Sequence, residues 1–333
     1  SYPVIYLYDK VLNWFWNTRY EGLYSIGIDR IKDLATGNTI IYAPSHRSHI
    51  DYLALSHQLY LNNLMMPQIV AGKNLNLPII GPILRNGGAF FMRRSFGNNK
   101  LYSRVFYEHL RKLLQRGSSI EFFPEGGRSR SGRLLPPRPG IISMLIRAFQ
   151  DMDEKPVKFV PISMNYEKVL EGNSYHKEAM GDAKKRESLR SILRVAKDFR
   201  GYLGNAYLQI GEPIDLKEFL DNNFENWTNN IISEELDNSP TQQWLYDLTP
   251  KLGKEIMKNI NKATVVTPSA LFASAILNAN KFRLSKEKLK SRISLYTNLI
   301  KLSDYSEQIS IPECDPEQVL QKVEKLQLIN KLS

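Results

Sequence analysis

Residues 44–53, PSHRSHIDYL, place two histidines, an arginine and an aspartate within six positions. His46 and Asp51 lie five apart. On one continuous helix such residues are about 140° out of phase and do not meet. If His46 sits in a loop at a strand end and Asp51 in the first helical turn, the chain brings imidazole and carboxylate together. The carboxylate would hold one ring nitrogen protonated and leave the other to take a proton from a substrate. Two other chemistries fit the same letters. His46, His49 and Asp51 could converge on a metal, although no further ligand is apparent. The histidine could also be structural, its ring nitrogens satisfied locally.

Two further stretches carry polar groups at expected strand ends. GAFFMRR (88–94) reads as a strand closing on Arg93 and Arg94. FFPEGGRSRSGR (122–133) reads as a strand running into a glycine-rich turn with Glu125, Arg128, Arg130 and Arg133. Backbone N–H groups at Gly126 and Gly127, with guanidinium forks beside them, make a phosphate receptor.

The elements that must position these groups follow from the hydrophobic pattern. TIIYAPS (39–45), QIVAG (68–72), AFFMR (89–93), SIEFFPEG (119–126), KFVPISM (158–164) and AYLQIG (206–211) read as strands. Most are continuously apolar, as strands covered on both faces are. Residues 98–116 place Leu101, Val105, Phe106, Leu110, Leu113 and Leu114 on one helical stripe with basic residues opposite. A further helix is expected over 140–150, after PPRPG, and the helix that follows His46 is expected to begin between His49 and Tyr52. This alternation predicts an α/β domain over about 1–235, built on a mostly parallel mixed sheet flanked by helices. Beyond an acidic, Asn-rich stretch, 241–262, 267–280, 285–302 and 315–330 predict a helical C-terminal region over 236–333. His46 then stands at the carboxyl end of a strand, where open α/β sheets place ligands.

The charge of this 333-residue chain is +11, and it is unevenly placed. Thirteen Lys and Arg between 81 and 150 face only Glu108, Glu121 and Glu125, and a second basic run covers 184–200. Such asymmetry points to anionic partners or, more blandly, to solvated helix faces. No nucleic-acid-binding motif accompanies it, so nucleic acid is not an expected partner. The single cysteine, Cys314, excludes an internal disulfide framework and fits a reducing compartment. No window reaches the run of about 20 apolar residues that spans a bilayer. The aromatic cluster Trp14, Phe15 and Trp16 could lie at a lipid interface or simply pack on the domain. The chain begins without Met and on a helical pattern, which suggests a piece of a longer one.

HRSHID is an H-x4-D motif, followed in order by GAFFMRR, FFPEGGRSRSG and FVPISM. These four blocks resemble those of the glycerolipid acyltransferase family. The wording around them, AGKNLNLPIIGPILRNGGAFFMRRSFGNNKLYS and GRLLPPRPGIISM, is most similar to its bacterial glycerol-3-phosphate branch. The resemblance implies His46 as general base and Asp51 as its charge-relay partner. It implies Arg94 as a ligand of the acceptor phosphate, Glu125, Gly126 and Gly127 with Arg128 as the acceptor-binding block, and Pro161 on the acyl-donor side. It implies sn-glycerol 3-phosphate as acceptor and acyl-CoA or acyl-acyl carrier protein as donor, with no cofactor and no metal. An anionic phospholipid surface, at the cytoplasmic face of the bacterial inner membrane, is the implied setting of a peripheral protein. A lysophosphatidate acyltransferase and a non-catalytic membrane-binding module are the alternatives.

Overall fold

The computed structural model describes residues 2–76, 78, 80–93, 99–152, 155–181, 201–225, 227, 240–279 and 282–329. Among these, strands β1 (Gly22–Ile26), β2 (Thr39–Pro44), β3 (Gln68–Gly72), β4 (Ala89–Met92), β5 (Ile120–Glu121), β6 (Val157–Tyr166), β7 (Asn205–Ile210) and β8 (Ile214–Asp215) form one sheet. Its order is β1-β7-β6-β2-β5-β3-β4, with β8 pairing on β6. All neighbours are parallel except β7 and β8, which run antiparallel to β6. The sheet is therefore mixed and mostly parallel, as the alternation predicts.

β2 lies at the centre, and all six of its residues are buried. Alternate side chains of a strand point to opposite faces. Ile41 and Ala43 accordingly enter a core shared with α5 (Lys100–Gln115), α6 (Pro139–Gln150) and α9 (Pro240–Lys262). Ile40 and Tyr42 enter another, shared with α1 (Tyr2–Arg19), α2 (Asp29–Ala35) and α3 (Asp51–Leu61). A strand with helices over both faces has no polar side, which explains why TIIYAP reads as an unbroken apolar run.

Three sequence expectations change. The strand expected over 119–126 is only Ile120–Glu121: the Phe122 N–H still reaches the Tyr42 carbonyl at 3.1 Å, but the Gly126 N–H turns back to the Phe123 carbonyl. Sequence reasoning missed β1, β8 and α2, each short and weakly patterned, and also α4 (Ile80–Asn86) and α7 (Gly172–Ala179). Of the N-terminal aromatics, Trp16 is buried and Phe15 packs beside it, with ring centroids 5.3 Å apart; Trp14 alone is exposed.

The expected boundary near 235 and the basic run 184–200 lie outside the described residues. Past that boundary, α9 buries Trp244, Leu248, Leu252 and Ile256 in the α/β core. Helices α10 (Pro268–Leu277), α11 (Lys286–Lys301) and α12 (Pro316–Lys325) build their own core from Phe272, Ala275, Leu289, Ile293, Val319 and Val323. Thr267, Ser285 and Asp315 cap these three helices, each accepting a backbone N–H from the first turn. Caps of this kind contribute about 1 kcal/mol apiece. The element α8 (Leu216–Asn223), capped by Asp215, completes the set.

Candidate active site

Pro44 ends β2, and after six intervening residues the chain enters α3, whose first residue is Asp51. That turn brings His46 back onto Asp51, and Nδ1 lies 2.9 Å from Oδ2. Asp51 is fully buried. Oδ2 also accepts the backbone N–H groups of Arg47 (2.6 Å) and Ser48 (2.9 Å), and Oδ1 accepts the Tyr166 hydroxyl at 2.6 Å. A carboxylate so bonded is an acceptor only, which fixes the His46 proton on Nδ1 and leaves Nε2 for whatever enters the site. Burial, seconded by Asp51, pushes the Tyr166 hydroxyl well above its usual range, so it stays a donor.

Glu125 holds the same histidine from behind. Its Oε1 accepts the His46 backbone N–H at 2.7 Å, and its Oε2 accepts that of Leu135 at 2.8 Å. Burial raises the Glu125 carboxyl above the ordinary range, opposed by those two N–H groups and by Arg47. The Ser129 N–H returns to the His46 carbonyl at 2.8 Å. The imidazole stacks on Phe123, with centroids 3.9 Å apart and planes inclined by 23°. Strand β2, helix α3 and the turn after β5 thus grip one ring on three sides.

That ring lines a cavity of about 880 Å³. Its lining includes His46, Glu125, Gly126, Gly127 and the arginines 93, 128, 130 and 138. The cavity follows α3, touching Tyr52, Leu53, Ser56, His57 and Tyr60, a helical spacing that covers about 12 Å. Leu12, Met66, Ile69, Leu84 and Met92 close the other walls. Cationic and apolar side chains thus share one cavity with the His46 imidazole.

The expected site residues fall unevenly around it. His46, Asp51, Glu125, Gly126, Gly127 and Arg128 come together; Arg94 lies outside the described residues. Pro161 is buried in β6 opposite Ala43 and does not line the cavity. Gly126 has φ +64°, a conformation glycine adopts at no steric cost. Its N–H is held by the Phe123 carbonyl, which corrects the expectation that it faces a phosphate; Gly127 borders open space. Arg128 is almost fully buried, and its Nη1 donates to Glu171 Oε1 (3.1 Å) and to the Tyr175 hydroxyl (2.8 Å). Glu171 in turn accepts the Ser48 hydroxyl and the His49 backbone N–H, and His49 lines the same cavity as His46. Among the described residues, no group of three or more His, Cys, Asp or Glu is placed to hold a metal ion.

Tyr166, Phe123, Glu171 and Tyr175 escaped sequence reasoning. Tyr166 lies 115 residues from the carboxylate it serves, and only the register of β6 on β2 brings them together.

Residues 25–165 match the family model described as Acyltransferase, and residues 175–332 match the one described as Glycerol-3-phosphate acyltransferase C-terminal region. The chain belongs to the glycerol-3-phosphate acyltransferase family. It is 42% identical over 329 residues to the glycerol-3-phosphate acyltransferase of Pseudomonas paraeruginosa, covering 99% of this chain and 39% of that protein. The proteins of the same name from Pseudomonas putida (40% over 329 residues, 99% of this chain and 39% of that protein) and Pseudomonas fluorescens (39% over 333, 100% and 39%) are similar in the same way. The chain thus spans about two fifths of the length of the curated relatives it matches. A solved 1-acyl-sn-glycerophosphate acyltransferase from Thermotoga maritima aligns over 77% of this chain and 78% of its own, at 16% identity. Its TM-score of 0.38 is too low to carry an argument. Within the matched acyltransferase region, the H-x4-D residues are the cavity's imidazole, His46, and the carboxylate that orients it, Asp51.

Proposed function

We propose that this chain transfers a fatty acyl group from acyl-CoA or acyl-acyl carrier protein to the 1-hydroxyl of sn-glycerol 3-phosphate, giving 1-acyl-sn-glycerol 3-phosphate. The observation that carries this reading is the His46–Asp51 pair, its imidazole on a cavity lined by both arginines and apolar side chains. His46 Nε2 accepts the hydroxyl proton as the alcohol oxygen attacks the thioester carbonyl. The carbon–sulfur bond then breaks, and the imidazolium returns its proton to the leaving thiolate. Asp51 stabilises the transient positive ring, and the stack on Phe123 keeps Nε2 aimed. No covalent acyl-enzyme is needed. The α/β domain expected over 1–235 carries the chemistry, and the helical region 236–333 braces it through α9.

In this reading Arg94 contributes to phosphate binding and Gly127 lets the acceptor approach the backbone. Glu125 and Gly126 shape the turn. Arg128, committed to Glu171, acts by holding that turn against α7 rather than by meeting substrate. Pro161 supports β2 from the neighbouring strand. Among the described residues no helix is long and apolar enough to cross a membrane. The basic surface and exposed Trp14 support peripheral attachment to anionic phospholipid, at the cytoplasmic face of a bacterial inner membrane.

The test offers glycerol 3-phosphate and 1-acylglycerol 3-phosphate side by side with an acyl-CoA donor, in detergent or lipid, and follows free thiol. Release dependent on glycerol 3-phosphate supports the proposal. Release with the lysophospholipid alone makes the chain a lysophosphatidate acyltransferase, and no release with either makes it a binding module.

A further inference from the structure

Four arginines line the cavity, and they differ in their partners. Arg128 is paired with Glu171, and Arg130 with Glu178 of α7. Arg93 lies over the Tyr102 ring, its guanidinium carbon 4.6 Å from the centroid, a contact that covers one face of the group and leaves its charge in place. Arg138 is exposed, and among the described residues no carboxylate pairs with it. Its place is nonetheless well defined. The Arg138 N–H donates to the Pro124 carbonyl at 2.7 Å, and its stem crosses Gly126 so closely that a Cβ there would stand 2.7 Å from Arg138 Cγ. Pro124 and Gly126 flank Glu125, whose carboxylate holds the His46 backbone. Two hydrogen bonds therefore tie the Arg138 backbone to that of the base.

We infer that Arg138 is a guanidinium that receives the phosphate of the acceptor, alongside the contribution proposed for Arg94, while Arg128 and Arg130 position the turn. The inference deepens the proposed function and rests on it for the identity of the acceptor. A guanidinium already bonded to a carboxylate offers an incoming anion little net charge, because the carboxylate repels what the guanidinium attracts. An unpaired guanidinium on a fixed stem offers a planar fork to two phosphate oxygens. Gly126 is required here twice over: for its positive φ, and because any side chain would push the Arg138 stem off the turn.

The experiment compares wild type, Arg138→Gln, Arg138→Lys and Arg128→Gln. Acyl transfer to glycerol 3-phosphate is measured at varied acceptor concentration, and direct binding of glycerol 3-phosphate and of inorganic phosphate is measured by calorimetry. The expected result for Arg138→Gln is a KM for glycerol 3-phosphate raised roughly tenfold or more, with kcat within about twofold and both binding signals weakened in parallel. Arg138→Lys should recover part of that loss. Arg128→Gln should mainly lower the melting temperature, since it leaves Glu171 buried without its cation. An unchanged KM and unchanged phosphate binding in Arg138→Gln would overturn the inference, as would phosphate binding to neither protein. If wild type binds phosphate through Arg138 yet acylates no glycerol 3-phosphate, the inference stands and the proposed acceptor falls.

Discussion

Two histidines of the same cavity, His46 and His57, each stand beside an aspartate, and the two pairs are built in opposite ways. In the first, Asp51 is fully buried, accepts two backbone N–H groups and a tyrosine hydroxyl, and holds His46 Nδ1 at 2.9 Å. In the second, Asp9 of α1 keeps some exposure, accepts the Asn13 amide at 2.8 Å, and stands 3.4 Å from His57 Nε2. Burial lowers the His57 pKa below its ordinary value, and Asp9 opposes this without reversing it. Proximity of the two residue types is common to both. What distinguishes the first pair is that peptide groups and Tyr166 set the carboxylate before the histidine meets it. The ring is therefore oriented and its tautomer decided. The second pair is a packing contact between two helices.

The largest effect should come from breaking the first pair. Asp51→Asn turns one acceptor oxygen into an NH2 group that faces donors, and it should lower kcat by about a hundredfold or more. Initial acylation rates check this. A loss under threefold would mean that Asp51 does not orient His46. Tyr166→Phe removes one of the four bonds to Asp51 and should cost about 1–2 kcal/mol of stability with a kcat drop near tenfold. Denaturant midpoints and rates on the same preparation test both halves.

A third buried acid sharpens the contrast. Glu121 is fully buried beside Tyr42 in the β2–β5 register, and neither carboxyl oxygen has a hydrogen-bond partner. Desolvation first, and Asp51 second, raise its pKa well above the usual value. Folded protein thus keeps Glu121 protonated while the unfolded chain releases that proton near pH 4.5. Stability contributed by the neutral acid is present below that pH and declines as pH rises toward the folded pKa. Glu121→Gln should therefore gain melting temperature relative to wild type between pH 5 and pH 8. A pH-independent difference would place Glu121 outside this account.

The smallest effect belongs to the second pair. His57→Gln should leave kcat within about threefold, because His57 has no oriented partner. Its signature is in stability instead. The folded pKa lies below 6.5, so the unfolded chain takes up the proton first as pH falls. Wild type should lose stability below about pH 6.5, and the variant should lose less. A hundredfold drop in kcat would make the two pairs equivalent and end the comparison.

The alternation of apolar runs with amphipathic stripes made the α/β core legible, because a strand covered on both faces cannot carry a polar period. β2, β3 and β6 show this, their ends falling within a residue or two of the apolar runs. β1 and β8 were not legible: β1 holds no buried side chain, and β8 is two residues long. At the site, the His46–Asp51 turn could be foreseen since both residues sit in one local segment. The role of Arg128 could not. A guanidinium beside a glycine turn reads the same whether or not Glu171, 43 residues later, neutralises it.

The letters alone therefore determined which groups are present and which short segments can fold back on themselves: the strand-tip histidine and the acid that follows it at the start of the next helix. Only the tertiary structure decided which charges survive to act. Glu125 reaches the His46 backbone across 79 residues and Tyr166 reaches Asp51 across 115. Such contacts depend on how strands register and helices dock, and hydrogen bonding and ion pairing act over a few ångströms whatever the sequence separation.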